Sequence, residues 1–291
     1  MAKPILKYAG GVPFLVLKGI FVVRARQQPD GDTVAFAATA NFQAGPVETN
    51  VYVSPDGSQP RNIRLQSIDA PEKAQPLGAK SRDAMLKSLG FAPSSLGLGE
   101  TSFTASGATQ TRAGWLVTHG MDGNQRPLGY VFDKSPGFKH GAIISAADVL
   151  GTIKASANYR QAGAGWAYPA FYSNTDETHA ALFQQAAAKA RDAAKGVWSQ
   201  DVTTRGFVPT AEALGKGGAL VYPKFFRRVE KWKTAKPNAQ SFIAWLKTQS
   251  DGKKLVQGAE TKPVALWKLF TKVSTRKVAV RYDVTRLWFS E

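Results

Sequence analysis

The sequence predicts an α+β fold in which a five-stranded β-barrel with three helices is followed by a small C-terminal α+β module. Short runs rich in Val, Ile, Phe and Leu, separated by turn residues, occur throughout the first half of the chain and are typical of strands. Helical spacing of apolar residues begins directly after the third run. Five short strands joined by turns favour a closed barrel over an open sheet.

The predicted strands share apolar or alternating residues between turn signals. These six runs, one more than the five strands expected in the barrel, lie at 12–25, 33–42, 60–68, 101–105, 111–119 and 127–132. Turn residues at 27–31 and 54–60 separate the first three, and the region around Gly107 predicts a hairpin between the fourth and fifth runs. We expect these strands to form a meander that closes on itself.

Three helices are predicted between and after the strands. The first covers 75–90, where apolar residues fall near one face and Gly90 supplies a stop. The second covers 145–159. The third runs from Asp176, a suitable N-cap, to Gly196, a suitable C′ residue.

The last part of the chain predicts a separate module. The polar stretch at 199–210 is typical of a linker, aromatic helices follow at 222–234 and 238–249, and the segment 264–289 alternates as strands do. We therefore divide the chain into residues 1–201 and a basic extension, residues 202–291.

Charge is the main compositional signal for function. The chain has 38 Lys and Arg against 21 Asp and Glu, a net charge of +17, of which residues 202–291 carry +12. Such an excess attracts polyanions and gains from counterion release, so nucleic acid is the leading partner and an anionic membrane the weaker one. With 43% hydrophobic residues the chain can also bury a substantial core.

Several classes of site and segment are excluded by the residues themselves. The chain has no cysteine, which excludes disulfides, thiolate zinc sites and a cysteine nucleophile and leaves the redox compartment open. The apolar run 12–23 is too short to span a bilayer and is interrupted by Lys18. We expect it to be a strand rather than an export signal, which leaves both a cytoplasmic and a secreted location open.

Phosphodiester hydrolysis needs a cation, a group that activates water, and donors for the phosphate oxygens. Asp32 in PDGDTV and Asp69 in IRLQSIDAPE stand at the ends of neighbouring predicted strands, where both carboxylates would bind one hard cation. Each motif by itself is more often a tight turn. Glu72, three residues after Asp69 and following a rigid proline, is the candidate base, although a Glu after Pro also commonly begins a helix.

Two arginines are candidates for binding phosphate in bidentate fashion. Arg64 lies in the strand that leads to Asp69, and Arg126 follows the turn at 121–125. An isolated arginine on a strand is more often solvated or paired in a salt bridge. The combination of five such groups favours the catalytic interpretation.

The motifs DGDTV, IRLQSIDAPE, DGNQRPLGYVF and ARDAAKGVW, in this order, resemble the staphylococcal nuclease family over residues 12–201. The resemblance implies an OB-fold barrel and a Ca²⁺-dependent, sugar-non-specific endonuclease that cleaves DNA and RNA and leaves 3′-phosphates. It assigns Asp32, Asp69 and the Ala70 carbonyl to Ca²⁺. The family pattern further makes Glu72 the general base or water-orienting group, and Arg64 and Arg126 the phosphate-binding groups.

Tyr168 and Tyr172, in GWAYPAFY, resemble the aromatic residues of the family that contact nucleotide, and a core-packing role is the alternative. Two features depart from the family. The stretch between Asp32 and Arg64 is longer than its usual hairpin, and residues 202–291 extend beyond its nuclease domain.

The extension allows more than one interpretation. Its cations lie among aromatic residues at 225–233, which suits either phosphate binding with base stacking or an amphipathic helix with its aromatics in the core. At the level of the whole chain, the alternatives to an active nuclease are a catalytically silent nucleic-acid-binding or scaffold protein and a module for anionic lipid.

Overall fold

The computed structural model describes residues 13–39, 60–235, 241–258 and 262–290. Five of its strands form a closed barrel, as the sequence predicts. They are β1 (Phe14–Val23), β2 (Thr33–Ala38), β3 (Arg61–Leu65), β5 (Gln110–Met121) and β6 (Pro127–Phe132), with the two-residue strand β4 (Ile68–Asp69) after β3. The ring runs β1, β2, β3, β6, β5 and back to β1, and only the β3–β6 pair within it is parallel.

The barrel closes because β1 pairs with two neighbours, through residues 19–22 with β2 and through residues 15–23 with β5. Gly19 in its middle lies opposite both Ala38 of β2 and Gly114 of β5. A Cβ atom at Gly19 would lie 2.1 Å from the carbonyl oxygen of Ala37, so only glycine permits this close approach of β1 to β2. The stretch between Asp32 and Arg64 that is longer than the usual hairpin of the family lies largely at 40–59, outside the described residues.

The predicted hairpin at 101–105 and 111–119 is wrong in its first half. Residues 101–105 form a loop, and β5 alone supplies the strand. The buried guanidinium of Arg82 donates to the carbonyl oxygens of Ser102 at 3.0 Å and Gly99 at 2.9 Å. A side chain thus satisfies backbone groups that a neighbouring strand would otherwise bind.

The helices of the barrel unit are α1 (Gly78–Ser88), α2 (Ala146–Thr152), α3 (Ala157–Gly163) and α4 (Glu177–Asp192). The predicted single helix at 145–159 is wrong, since a 3₁₀ turn and an extended Ser156 divide it into α2 and α3. The Ser156 side chain accepts from the backbone N–H of Tyr159 and donates to the carbonyl of Ile153 at 2.6 Å. These local bonds compete with a continuous helix.

The start of α4 is as predicted, and its end is not. The Asp176 side chain caps the helix by accepting from the backbone N–H of Thr178 at 2.8 Å. The helix ends at Asp192, and Ala194, rather than Gly196, takes the left-handed position directly after the C-cap, with φ of 48°. Gly196 also has positive φ but begins a separate 3₁₀ turn.

Three short strands follow the barrel strands in the chain. They are β7 (Ile143–Ile144), β8 (Tyr168–Pro169) and β9 (Phe171–Tyr172). In the module the elements are α5 (Ala211–Leu214), α6 (Pro223–Ala235), α7 (Phe242–Thr248), α8 (Ser250–Lys253), β10 (Leu255–Gln257), β11 (Val264–Ala265), β12 (Phe270–Lys272), β13 (Val278–Val280) and β14 (Trp288–Phe289). Strand β14 pairs in parallel with β9, which joins the module to the barrel unit through backbone hydrogen bonds.

The two cores explain how the module is held. The first lies inside the barrel and under its helices. The second joins Tyr168, Trp198 and the inner face of α4 to Tyr222, Phe225 and Phe289 of the module. The predicted linker takes part in this packing, since Phe207 is buried and pairs with Val278. The boundary after residue 201 stays a prediction.

Helix α6 is amphipathic, and its aromatic residues Phe225 and Phe226 are buried in the second core. This places them in the structural role that the sequence left open, with Arg227 on another face of the helix. No helix within the described ranges combines the length and hydropathy needed to cross a membrane.

Candidate active site

A cleft of about 400 Å³ lies between the barrel unit and the module. Residues 30–175 supply one side, here called the barrel wall, and Lys224, Arg227, Lys254 and Ser290 supply the other, the module wall. The predicted site residues that line the barrel wall are Asp32, Arg64, Ala70, Glu72, Arg126 and Tyr172. Asp69 lies directly beneath this lining and contacts residues of both walls.

Asp32 is fixed by the turn that precedes β2. Its Oδ2 accepts from the backbone N–H of Ala70 at 2.7 Å, and its backbone carbonyl accepts from Leu65 at 2.8 Å. Gly31 makes this approach possible, because a Cβ there would lie 2.7 Å from the Ala70 methyl group and 2.1 Å from Ser81 Oγ. The DGD motif therefore forms a tight turn and also positions the buried carboxylate of Asp32.

Asp69 is fully buried at the end of β4 and is bridged to Asp32 by one guanidinium. Arg64 contacts Asp32 through Nη1, and its Nη2 donates to Asp69 Oδ1 at 2.8 Å and to the Ile68 carbonyl at 3.2 Å. Both carboxylates thus converge on one positive charge. The strand ends bring together residues that are 37 positions apart in the chain.

Glu72 projects into the cleft and is paired with an arginine from the opposite wall. Arg227 Nη1 donates to Glu72 Oε1 at 2.5 Å and to Asp69 Oδ1 at 3.2 Å, while its Nη2 donates to Asp69 Oδ2 at 2.9 Å. A side chain of α6 therefore occupies three oxygens of the proposed catalytic set. The sequence analysis placed Arg227 among the cations of the extension and did not assign it to the site.

Arg126 lies on the same cleft but is held by the turn before β6. Its Nε donates to Asp122 Oδ2 at 2.8 Å, and its Nη1 reaches Thr33 Oγ1 at 3.4 Å. Asp122 also accepts from the backbone N–H of Arg126, which fixes the turn. Arg64 on β3 and Arg126 in the turn directly before the neighbouring β6 thus flank the carboxylates.

The crowded charges perturb the carboxyl groups in different directions. Burial raises the pKa of Asp69, but the guanidinium groups of Arg227 and Arg64 outweigh burial and hold its pKa below the ordinary value. Burial, with the neighbouring Asp32 charge, raises the pKa of Asp30 to about 7. Burial also raises the pKa of Glu72, and Arg227 offsets this only in part. A raised pKa makes Glu72 a better proton acceptor than an ordinary surface carboxylate.

The two tyrosines have different surroundings. Tyr172 lines the cleft, and its hydroxyl accepts from Lys224 Nζ at 3.1 Å. Tyr168 is fully buried in the second core, where its hydroxyl donates to Asp201 at 3.0 Å. The structure therefore brings Tyr172, and not Tyr168, to the site.

Lys224 is a second residue of the module wall that the sequence analysis did not assign to the site. Its Nζ lies 4.5 Å from the ring centroid of Tyr172 and 4.4 Å from that of Phe289. Burial, aided by Arg228, lowers the pKa of Lys224 to about 7. The only sequence signal for Lys224 and Arg227 is their place on a basic amphipathic helix, which is common to many unrelated surfaces.

The oxygen atoms around the cleft suit a hard cation. Among the residues that the structure describes, no group of three or more His, Asp or Glu side chains is spaced to hold a metal ion. The predicted set differs from such a group, because it has two carboxylates, the Ala70 carbonyl and water. The convergence of Asp32 and Asp69 on a single guanidinium fits this set.

Residues 62–200 match the family model described as staphylococcal nuclease homologue. The match includes Arg64, Asp69, Glu72 and Arg126, whereas Asp32 and the first two barrel strands precede it. No curated protein matches the chain in sequence. A domain of this family indicates a nuclease or nucleic-acid-binding function.

Proposed function

We propose that this chain, whose residues 62–200 match the staphylococcal nuclease homologue model, is a Ca²⁺-dependent nuclease. It hydrolyses phosphodiester bonds of DNA and RNA and leaves 3′-phosphates. The observation that carries the proposal is the convergence of Asp32 and Asp69 on Arg64 in a cleft that Glu72 and Arg126 also line. A binding protein needs cations for phosphate but has no need of buried carboxylates beside them.

Asp32, Asp69 and the Ala70 carbonyl are the residues proposed to hold Ca²⁺, with water completing its shell. The bound cation would offset negative charge that develops on the phosphate oxygens. The fit rests on donor chemistry, since every one of these groups offers oxygen. The buried position of Asp69 also keeps its carboxylate away from competing solvent.

Side chains of the protein carry out the proton transfer and bind the phosphate. Glu72 accepts a proton from the attacking water as the oxygen of that water bonds to phosphorus. The bond from phosphorus to the 5′ oxygen breaks, the departing oxygen takes a proton from solvent, and the phosphate stays on the 3′ side. Arg126 and Arg64 donate to the equatorial oxygens, where negative charge increases in the transition state.

Arg64 has donors to spare for this role. The guanidinium group carries five N–H bonds, and its contacts with Asp32, Asp69 and the Ile68 carbonyl use three of them. All assigned groups act at phosphate, and none is assigned to the 2′ position of the sugar. This supports cleavage of both DNA and RNA, and the net charge of +17 favours association with either polymer.

The proposal is tested by digesting plasmid DNA and RNA with Ca²⁺, with Mg²⁺ and with a chelator. The wild type is compared with Glu72→Ser and with Lys231→Ala, which removes a charge from the outer side of α6. Ca²⁺-dependent cleavage that Glu72→Ser lowers by at least 100-fold is expected. Cleavage that persists in chelator, or that Glu72→Ser retains, would overturn the proposed site.

Binding without cleavage is the outcome that would favour the silent alternative. It is recognised by gel-shift of the same DNA and RNA under conditions in which no product with a 3′-phosphate accumulates. Mapping the product ends separates the two directions of bond cleavage, because only one leaves phosphate on the 3′ side.

A further inference from the structure

The contact between Arg227 and the acidic residues of the cleft goes beyond the function proposed above. We propose that Arg227 is a third phosphate-binding arginine of the site, held on Asp69 and Glu72 until a divalent cation displaces it. This inference rests on the proposed function, because it assumes that a cation binds Asp69. It assigns to the C-terminal module a part in the chemistry as well as in packing.

The first step of the argument is competition for the same atoms. Asp69 Oδ1 accepts from Arg64 at 2.8 Å and from Arg227 at 3.2 Å, and Oδ2 accepts from Arg227 at 2.9 Å. Both oxygens of a proposed cation ligand are therefore taken by guanidinium groups. A cation that binds Asp69 must displace at least one of these contacts.

Arg227 is the easier of the two guanidinium groups to displace. The Arg64 side chain is 15% exposed, lies on a barrel strand, and also binds Asp32 and the Ile68 carbonyl. The Arg227 side chain is 34% exposed and comes from the facing helix α6. Its described hydrogen bonds are all to carboxylates, so a cation that neutralises those carboxylates removes the attraction that holds Arg227 there.

Displacement also frees the proposed base. Arg227 Nη1 donates to Glu72 Oε1 at 2.5 Å and so occupies an oxygen that would otherwise accept from the attacking water. Once Arg227 leaves, Glu72 can bind and deprotonate water. The same movement therefore converts the site from a neutralised state to a reactive one.

The charge balance indicates where the displaced arginine goes. A divalent cation, Arg64 and Arg227 carry four formal positive charges against three on Asp32, Asp69 and Glu72, and a phosphodiester supplies the one that is missing. Arg227 already lines the cleft together with Lys224 and Lys254 of the module wall. The scissile phosphate or its neighbour is the anion within its reach.

The first measurement is Ca²⁺ affinity without substrate, by isothermal titration calorimetry. Arg227→Ala is expected to bind Ca²⁺ about tenfold more tightly than the wild type, because the competing cation is gone. Lys231→Ala, on the same helix but paired with Asp251, removes the same charge away from the cleft and is expected to change affinity less than twofold. Equal affinities in the wild type and Arg227→Ala would overturn the competition.

The second measurement tests the phosphate contact. A phosphorothioate oligonucleotide that resists cleavage is titrated in saturating Ca²⁺, and Arg227→Ala is expected to bind it about tenfold more weakly. Without Ca²⁺, Arg227→Ala should lose less, because the wild-type arginine is then held on the carboxylates. A loss that is the same with and without Ca²⁺ would reduce Arg227 to a general electrostatic contribution and overturn its proposed role.

A third measurement keeps the test valid if Arg227→Ala folds poorly. Thermal unfolding is followed with and without Ca²⁺, and Ca²⁺ should raise the Tm of Arg227→Ala more than that of the wild type. Arg227→Lys, which keeps the charge and loses the forked geometry, should fall between them in Ca²⁺ affinity. If no variant binds Ca²⁺, the proposed function fails; if all bind it equally, only the role of Arg227 fails.

Discussion

The two walls of the cleft are built on different principles. The barrel wall takes Arg64, Asp69 and Glu72 from nine consecutive residues at the end of two strands, and a tight turn adds Asp32. The module wall takes Lys224, Arg227, Lys254 and Ser290 from across 67 residues of chain. Its geometry depends on the second core and on the β9–β14 pairing. Most of the charged groups of the barrel wall come from one short stretch of sequence, whereas the module wall exists only through long-range packing.

The walls also differ in charge, and they meet at one residue. Buried carboxylates characterise the barrel wall, and cations characterise the module wall. Asp69 pairs with Arg64 on its own side and with Arg227 on the other. The difference teaches that the groups of the proposed function lie on the barrel wall, while the module wall supplies Arg227, which pairs with two of them.

Removing the charge of Asp69 is expected to have the largest effect, because Asp69 pairs with an arginine from each wall. Asp69→Asn leaves two guanidinium groups without their shared buried partner, and we expect the free energy of unfolding to fall by about 3 kcal/mol. Urea unfolding in chelator measures it. Asp122→Asn, which weakens the more exposed pair with Arg126, should cost less than about 1 kcal/mol. Equal losses would mean that Asp69 does not join the walls.

Arg126 tests whether the barrel wall can lose activity without losing stability. Arg126→Ala is expected to lower kcat/KM about 100-fold, because a donor to the transition-state oxygens is missing. Its unfolding free energy should change by less than about 1 kcal/mol, since its pair with Asp122 is partly solvated. Arg160→Ala, which removes a surface arginine paired with Asp133, is the matched control and should cleave at the wild-type rate.

Lys224 gives the module wall a pH signature. Its pKa of about 7 in the folded chain lies below its ordinary 10.5 because of burial. Between pH 7 and pH 10.5 the unfolded chain binds more protons than the folded chain, so stability rises with pH. The free-energy cost of burying the charged Lys224 is therefore complete below pH 7 and disappears as the pH rises through 10.5. Lys224→Met should therefore add about 2 kcal/mol of stability at pH 6, and no more than a small part of it at pH 10.

Urea unfolding at pH 6, 8 and 10 measures this pH dependence. Lys231→Met, a substitution at an exposed lysine of the same helix, serves as the control and should show no trend across the series. A gain from Lys224→Met that stays constant between pH 6 and 10 would contradict the lowered pKa.

The smallest expected effects distinguish the roles of Tyr168 and Tyr172. Tyr168→Phe removes the hydrogen bond to Asp201 and should lower the free energy of unfolding by about 1 kcal/mol, with cleavage unchanged. Tyr172→Ala removes a ring that lines the cleft and should weaken oligonucleotide binding. A change in oligonucleotide affinity in Tyr168→Phe would contradict a purely structural role for Tyr168.

The barrel and its wall of the cleft are largely predictable from the sequence because their signals are local. Strands separated by turn residues predict a closed barrel, and the DGD and IRLQSIDAPE motifs bring Asp32, Arg64, Asp69 and Glu72 to adjacent strand ends. Errors arose where a single side chain changed the backbone. Arg82 binds a loop that resembles a strand, and Ser156 divides a helix that periodicity alone would continue.

The sequence alone determined the set of oxygen and guanidinium groups suited to phosphodiester cleavage, since their type and spacing are written in a few short motifs. Only the tertiary structure decided that Tyr168 belongs to a core and that Arg227 reaches Asp69 across 158 residues. A contact of this range depends on how two apolar surfaces pack against each other. No periodicity within α6 specifies which carboxylate its arginine will meet.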